Sequence, residues 1–441
     1  MISGPVSLTC DQCEQTSKGT GCHLNGQLGV CGKDADVHSL QEILIYGLKG
    51  MAAYAHHARR LDRSDELVSA FIEEALFATM TNVNFDFDAM LQLVLECGHM
   101  NLRVMKMLDE AHVETFGQPE VATVREGTLA GPGILITGHD MLDLHNLLRQ
   151  CEGTDVKVYT HGEMLPAHMY PKLHAHPNLG GHFGGAWQKQ KSEFDDFPGP
   201  IIATTNCVLI PKPSYVSRLF TTRSTAVPGG TRIVNDDFAP VIAMARKCES
   251  LPETLVREST VGFHQSVILN RAADIVEAVK AGQIRRFFVI GGCDGAEPGR
   301  NYYADYAAAT PADSFVLTLG CGKYRIREHV QGELLGLPRL LDMGQCNNTN
   351  GAIEVALALA KAFDCNVNDL PLTIVLSWFE QKAVAVLLTL LALEVKGITI
   401  GPKPPAFVSP GVMKALQENF DLKLIGNDAE ADVAEVCGIS C

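Results

Sequence analysis

Beyond residue 133 the chain alternates short apolar runs with helix-length amphipathic segments, and that alternation leaves few architectures open. The runs are ILIT (134–137), VKVYT (156–160), IIAT (201–204), FFVI (287–290), FVLTL (315–319), LTIVL (372–376) and ITI (398–400). Short runs of this kind, separated by helical segments, predict the buried strands of parallel α/β sheets. A helical pattern over 269–281, after the loop near Gly262, opens a second unit of the same kind. The first 125 residues differ. Leu40, Ile43, Leu44, Leu48, Met51 and Ala55 recur at helical spacing, as do Met90, Leu93, Val94, Cys97, Met105 and Leu108. Asp86 and Asp88 are candidate N-caps for the second of these helices. A polar stretch with Gly and Pro over 112–133 reads as a linker. The expected fold is therefore α plus α/β: a helical domain (1–125) behind a cysteine loop, then two Rossmann-like α/β domains with parallel sheets (126–260 and 261–441).

Eight of the 14 cysteines fall into two sets. Cys10, Cys13, Cys22 and Cys31 open the chain. Cys207 (TTNC), Cys293 (GGCDG), Cys321 (LGCGKYR) and Cys346 (DMGQC) stand singly, each just past an apolar run. Nothing ahead of Cys10 resembles a secretory h-region, which predicts a cytoplasmic protein whose thiols serve metal sites and not a disulfide framework. The balance of 36 basic against 51 acidic residues, −15 overall, argues against nucleic acid or anionic lipid as a main partner. The apolar stretch 383–395, bracketed by Lys382 and Lys396, is too short to span a bilayer and predicts a buried core helix.

Three further residues share the position of the single cysteines. His139 follows ILITG, Glu163 follows VKVYTHG, and Glu380 follows LTIVLSWF. Ligands of open α/β sheets collect beyond the carboxyl ends of the strands, so seven candidate ligands stand where one site draws them together. Each has a plainer alternative. A lone buried cysteine is usually a small hydrophobe, a histidine after a strand often starts a helix, and Glu380 has Lys382 near it for a structural ion pair. The mixture is what matters. Thiolates favour iron–sulfur chemistry, while imidazole and carboxylate suit a harder, oxygen-bearing iron. For the N-terminal set, a C-x2-C pair followed by single cysteines after gaps of eight suits a four-thiolate cluster, with zinc on the same thiolates as the alternative. Cys97, Cys151, Cys248 and Cys365 lie in or near helical segments and read as packing.

The segments CDQCEQTSKGTGC, ITGHDMLDL, YTHGEMLPAH, TTNC, GGCDGA, CGKYR, DMGQCN and VLSWFEQKA, in this order and nearly end to end, resemble the hybrid-cluster (prismane) proteins, a family of hydroxylamine reductases. The resemblance implies a [4Fe-4S] cluster on Cys10, Cys13, Cys22 and Cys31. It implies a hybrid [4Fe-2O-2S] cluster at the interface of the α/β domains, on His139, Glu163, Cys207, Cys293, Cys321, Cys346 and Glu380, with a persulfide on Cys293. Room for a single helical bundle places the chain in the short class, and its Cys22–Cys31 gap is longer than the family pattern. The implied activity is reduction of hydroxylamine to ammonia and water. Its electrons would come from a donor protein such as a ferredoxin or an iron–sulfur/flavin reductase. His161 and Lys382 adjoin two of the ligands and are candidates for proton delivery, or for orienting and charge-balancing Glu163 and Glu380. Nitric oxide reduction to nitrous oxide, or transfer of a nitroso group to protein thiols, are rival uses of the same cluster. A nickel site like that of carbon monoxide dehydrogenase and a non-catalytic redox or nitrosative-stress sensor are the alternatives of other classes.

Overall fold

Acidic caps start the long helices near the N-terminus. Asp34 accepts from the Val37 N–H at 2.8 Å to begin Ala35–Arg60, Asp65 from Leu67 at 2.9 Å to begin Glu66–Ala78, and Asp86 from Ala89 at 2.7 Å to begin Phe87–Phe116. Each such cap stabilises its helix by about 1 kcal/mol. These features come from a computed structural model, which describes residues 8–14, 16 and 21–438. The chain divides into two compact units, one drawn from 1–108 and 373–427, the other from 109–372 and 428–441.

In the first unit the expected apolar positions Leu40, Ile43, Leu44, Leu48 and Met51 are all buried on Ala35–Arg60. The apolar stretch 383–395 forms the helix Gln381–Ala392, in which Lys382 and every residue from Val384 onward is buried. A helix apolar all round needs cover on all sides, and Ala35–Arg60 supplies part of it by close approach. A Cβ at Gly50 would lie 2.7 Å from the Ala385 Cβ and 2.8 Å from the Gln381 carbonyl oxygen, so only glycine fits. Asn101 secures the same helix, donating to Thr389 Oγ1 at 2.9 Å and to the Ala385 carbonyl at 3.2 Å. Strands Leu372–Ser377, Thr399–Gly401 and Lys423–Leu424 run parallel beside one another. The helix Glu66–Ala78 has no counterpart in the sequence reading. Leu67, Leu76 and Phe77 are exposed, so its apolar residues spread around the helix and no single stripe forms.

The second unit carries an eight-stranded sheet. Its order is Arg257–Val261, Ala122–Glu126, Leu179–His182, Lys157–His161, Gly133–Thr137, Ile201–Ala203, Leu219–Thr221 and Thr231–Arg232, parallel throughout except for the first pair. The chain winds outward from Gly133–Thr137 in both directions, which makes the end of that strand a topological switch point. Three further parallel strands, Leu340–Asp342, Ser314–Thr318 and Arg286–Gly292, lie side by side in the same unit. The strands expected at 134–137, 156–160, 201–204, 287–290 and 315–319 are present within a residue or two.

The stretch 112–133 is not a linker. Phe87–Phe116 runs through its start, and Ala122–Glu126 pairs antiparallel with Arg257–Val261. The pattern was hidden because Glu126 reads as a surface residue. It is buried against Arg327, whose guanidinium donates to both carboxylate oxygens at 2.6 and 3.0 Å.

Candidate metal centre

Six of the seven strand-end residues belong to the second unit, and each follows a strand by one to four residues. His139 comes after Gly133–Thr137, and the next residue, Asp140, caps the helix Met141–Cys151. Thr205, just beyond Ile201–Ala203, fixes the histidine twice. Its hydroxyl lies 2.9 Å from the His139 backbone nitrogen and 2.8 Å from Nδ1. With Nδ1 engaged in this way, Nε2 is the ring atom left to serve as a metal ligand, the usual division of labour in metal-binding histidines. Nε2 lies 3.9 Å from Glu163 Oε2. The Cys346 N–H donates to that same oxygen at 3.2 Å. One donor atom each from His139, Glu163 and Cys346 falls within 4.8 Å of the others, the spacing of ligands around a single ion.

Gln345 ties this trio together. Fully buried, its side-chain amide donates to the Glu163 carbonyl at 2.7 Å and to the His139 carbonyl at 3.2 Å, one residue before Cys346. Asn348 closes the turn by accepting from the Gln345 N–H at 2.9 Å, and its own amide donates to buried Asp109 at 3.2 Å.

The remaining thiols approach from the neighbouring strand ends. Backbone bonds lace these ends: the Gly292 N–H donates to Leu319 at 3.0 Å, and the Gly320 N–H to Gly344 at 3.2 Å. Gly320 has φ +73°, and a Cβ there would meet the Gly292 carbonyl oxygen at 2.6 Å, so the turn that carries Cys321 requires glycine. Cys207, at φ +67°, and Cys321 pack into one small cluster with Ala186 and Trp187. Burial, with Glu163, Cys207 and Cys293 close by, pushes the Cys321 thiol well above its ordinary value. Several anionic donors crowded in one buried place hold their deprotonated forms together only around cationic metal. Sulfur, imidazole and carboxylate in this company fit a mixed iron–sulfur–oxygen group.

Other residues buttress the site. Asp294, next to Cys293, accepts from Arg325 Nε at 2.6 Å and Gln188 Nε2 at 2.7 Å. Tyr324 donates to the Gly162 carbonyl at 2.7 Å and stacks on His182. Burial holds His182 well below the usual histidine range, with His161 next in effect. His161 is itself fully buried, with Nδ1 2.9 Å from Thr137 Oγ1 and Nε2 2.9 Å from Glu193 Oε2. Both ring nitrogens are thus engaged, which suits a holding role better than proton delivery. Sequence reading missed Thr205, Gln345 and Asp294. Their only signal was adjacency, as each lies within two residues of a candidate cysteine ligand.

The seventh residue, Glu380, stands on the first unit as the N-cap of Gln381–Ala392, half-buried, with its carbonyl accepting from Ala383 at 3.2 Å. Lys382 is buried there, its Nζ 5.8 Å from the Tyr54 ring centroid. The cysteine loop lies in this unit too. Thr9–Cys10 pairs antiparallel with Cys22–His23, placing Cys10 opposite Cys22. Cys13 opens the next turn, where its carbonyl accepts from Thr16, and a Gly29 N–H to Lys33 carbonyl bond of 2.8 Å folds the segment that carries Cys31. Cys10 and Cys22, set opposite each other across the two strands, with Cys13 and Cys31 on the adjoining turns, are of the residue type that suits a thiolate-bound group.

The Prismane/CO dehydrogenase family model matches residues 8–94 and 86–434. The chain is 58% identical over 429 residues to a hydroxylamine reductase of Moorella thermoacetica, covering 97% of this chain and 100% of that one. It is 50% identical over 430 residues to a hydroxylamine reductase of Rhodospirillum rubrum, covering 97% and 78%. Carbon monoxide dehydrogenase IV from Carboxydothermus hydrogenoformans shares the fold, with a TM-score of 0.81 over 98% of this chain and 92% of that chain at 15% identity. Among the described residues no helix is long and apolar enough to cross a membrane.

Proposed function

The chain belongs to the Prismane/CO dehydrogenase family, and from that premise we propose that it is an iron–sulfur oxidoreductase that reduces hydroxylamine to ammonia and water. The observation that carries the reading is the convergence of His139, Glu163 and Cys346 donor atoms within 4.8 Å, with further thiols beside them. The names of relatives at 58% and 50% identity support hydroxylamine over carbon monoxide as the substrate.

In this reading His139, Glu163, Cys207, Cys293, Cys321, Cys346 and Glu380 hold a hybrid [4Fe-2O-2S] cluster, with a persulfide on Cys293. Cys10, Cys13, Cys22 and Cys31 hold a [4Fe-4S] cluster. The bound hybrid cluster supplies Lewis acidity and electrons to a small nitrogen–oxygen substrate. Around it the chain's own residues set the geometry. Thr205 fixes the His139 ring, Gln345 holds the backbone of two of the three hard ligands, His139 and Glu163, and the Thr137–His161–Glu193 set braces the strand end that carries Glu163. Lys382, buried two residues after Glu380 with its Nζ 5.8 Å from the Tyr54 ring centroid, is the candidate proton donor or the charge partner of that carboxylate. Each turnover takes two electrons and two protons; a separate donor protein would supply the electrons, and Cys10, Cys13, Cys22 and Cys31 would hold the cluster that relays them.

The test is turnover of anaerobically purified protein with one electron donor and either hydroxylamine or nitric oxide. Ammonia formed one-to-one with hydroxylamine consumed is expected. Nitrous oxide from nitric oxide at a higher kcat/KM, with little ammonia, would transfer the assignment to nitric oxide reduction. No turnover with either substrate would leave a sensor. Metal analysis decides the remaining case, with iron and no nickel expected.

A further inference from the structure

Lys33 has no part in the chemistry described so far, yet it is among the most deeply placed charged residues of the first unit. It follows Cys31 by two residues and is 1% exposed. Its backbone carbonyl closes the turn from Gly29, and its Nζ donates to Gln41 Oε1 at 2.5 Å on the helix Ala35–Arg60. That partner, the one hydrogen-bond acceptor it finds among the described residues, is a neutral amide. His38, one turn earlier on the same helix, hydrogen-bonds the backbone of Thr9 beside Cys10. Burial first, then the charge of Lys33, holds His38 below the usual histidine range. Asp11 and Glu42 are the carboxylates within electrostatic reach of this pocket, and burial pushes the Glu42 carboxyl upward. Lys33 thus follows Cys31 on the loop and sends its ammonium to the same helix whose His38 hydrogen-bonds the backbone beside Cys10.

A buried ammonium given only an amide is costly unless an anion lies close by. We propose that the anion is the N-terminal cluster itself, and that Lys33 is a positioning residue that sets this cluster's reduction potential. The inference rests on the reading that Cys10, Cys13, Cys22 and Cys31 hold an iron–sulfur cluster. Four thiolates around an iron–sulfur core make an anion that gains one more negative charge on reduction. A fixed cation beside it favours the reduced form and raises the potential. Relay from a donor protein then proceeds at a potential the protein has set through charge, with no change in the ligands.

The experiment is a redox titration of the N-terminal cluster, followed by electron paramagnetic resonance, on anaerobically purified full-length protein. Lys33→Met moves the midpoint to more negative potential, shifting the reduced-to-oxidised ratio at fixed potential about tenfold, as a unit charge roughly 10 Å away does at an effective dielectric of about 20. Lys33→Arg keeps the charge and restores the wild-type midpoint. Gln41→Glu leaves the lysine in place but neutralises it with a carboxylate, and lowers the midpoint as Lys33→Met does. This variant keeps the test decisive if Lys33→Met loses its cluster. A purely structural role would lower the melting temperature of Lys33→Met while the midpoint stayed put, and that result overturns the proposal. A wild-type protein with zinc and no iron signal at the loop overturns instead the cluster reading on which it rests.

Discussion

Replacing Gln345 by Met keeps the length of the side chain and removes its hydrogen-bonding head. In the native site that head donates to two carbonyls, at 2.7 Å to Glu163 and 3.2 Å to His139, where solvent does not reach. A buried acceptor left without its donor costs about 1–3 kcal/mol, so the pair costs roughly 2–6 kcal/mol. Against a net stability of about 5–15 kcal/mol for a typical domain, the protein remains folded but weakened. The more telling effect is local. The two carbonyls belong to His139 and Glu163, two of the residues proposed as hard ligands, and the turn that holds them also carries Cys346. The expected outcome is a lower urea midpoint together with loss or alteration of the hybrid-cluster signal, while the N-terminal cluster signal and its iron persist. Iron analysis, the reduced-state spectrum and urea unfolding of the one variant measure all of this. A Gln345→Met protein with a wild-type hybrid-cluster spectrum and an unmoved midpoint would show that the amide holds nothing the site depends on.

Other changes separate the remaining roles. Cys293→Ala abolishes hydroxylamine turnover and leaves the N-terminal signal intact; loss of both signals in a folded variant would mean that the two sites are not independent. Glu380→Gln keeps shape and removes charge. If Glu380 is a ligand, turnover drops by roughly a hundredfold or more with an altered cluster spectrum, whereas near-normal turnover and spectrum would remove it from the ligand set. Burial raises the thiols of Cys97 and Cys151 to about 12, so at pH 8 only about one in ten thousand is ionised. Because it is the thiolate that reacts, iodoacetamide should spare both in the native protein at pH 8, and peptide mapping that found either one rapidly alkylated would contradict their place as packing residues.

Much of the second unit was legible because its strands are buried on both faces and announce themselves as continuous apolar runs. The ligand-type residues stood out for a related reason: a polar residue directly after such a run has nowhere to go but the sheet's carboxyl edge. Ala122–Glu126 was not legible, since its partner Arg257–Val261 lies far along the chain and its glutamate is buried by a distant arginine. Glu66–Ala78 escaped because exposed leucine and phenylalanine blur its period. Gln345 and Thr205 escaped for a different reason. Their work is done through hydrogen bonds to backbone and ring atoms that only the folded chain brings near, and neither residue type signals a site by itself. The membership of residues 373–427 in the first unit has no local signal at all.

That membership has a consequence in time. The chain is made from one end, and the helix Gln381–Ala392, which covers Ala35–Arg60, is translated about 360 residues after the cysteine loop. At roughly 5–20 residues per second the loop and its first helices wait on the order of 20–70 s for that cover. Throughout this interval the four N-terminal thiols and the apolar face of Ala35–Arg60 are presented by an unfinished unit, while 109–372 is being synthesised. Delivery of metal to the loop, and protection of that face from aggregation, therefore fall in a window set by the order of translation, and a slower ribosome lengthens the exposure in direct proportion.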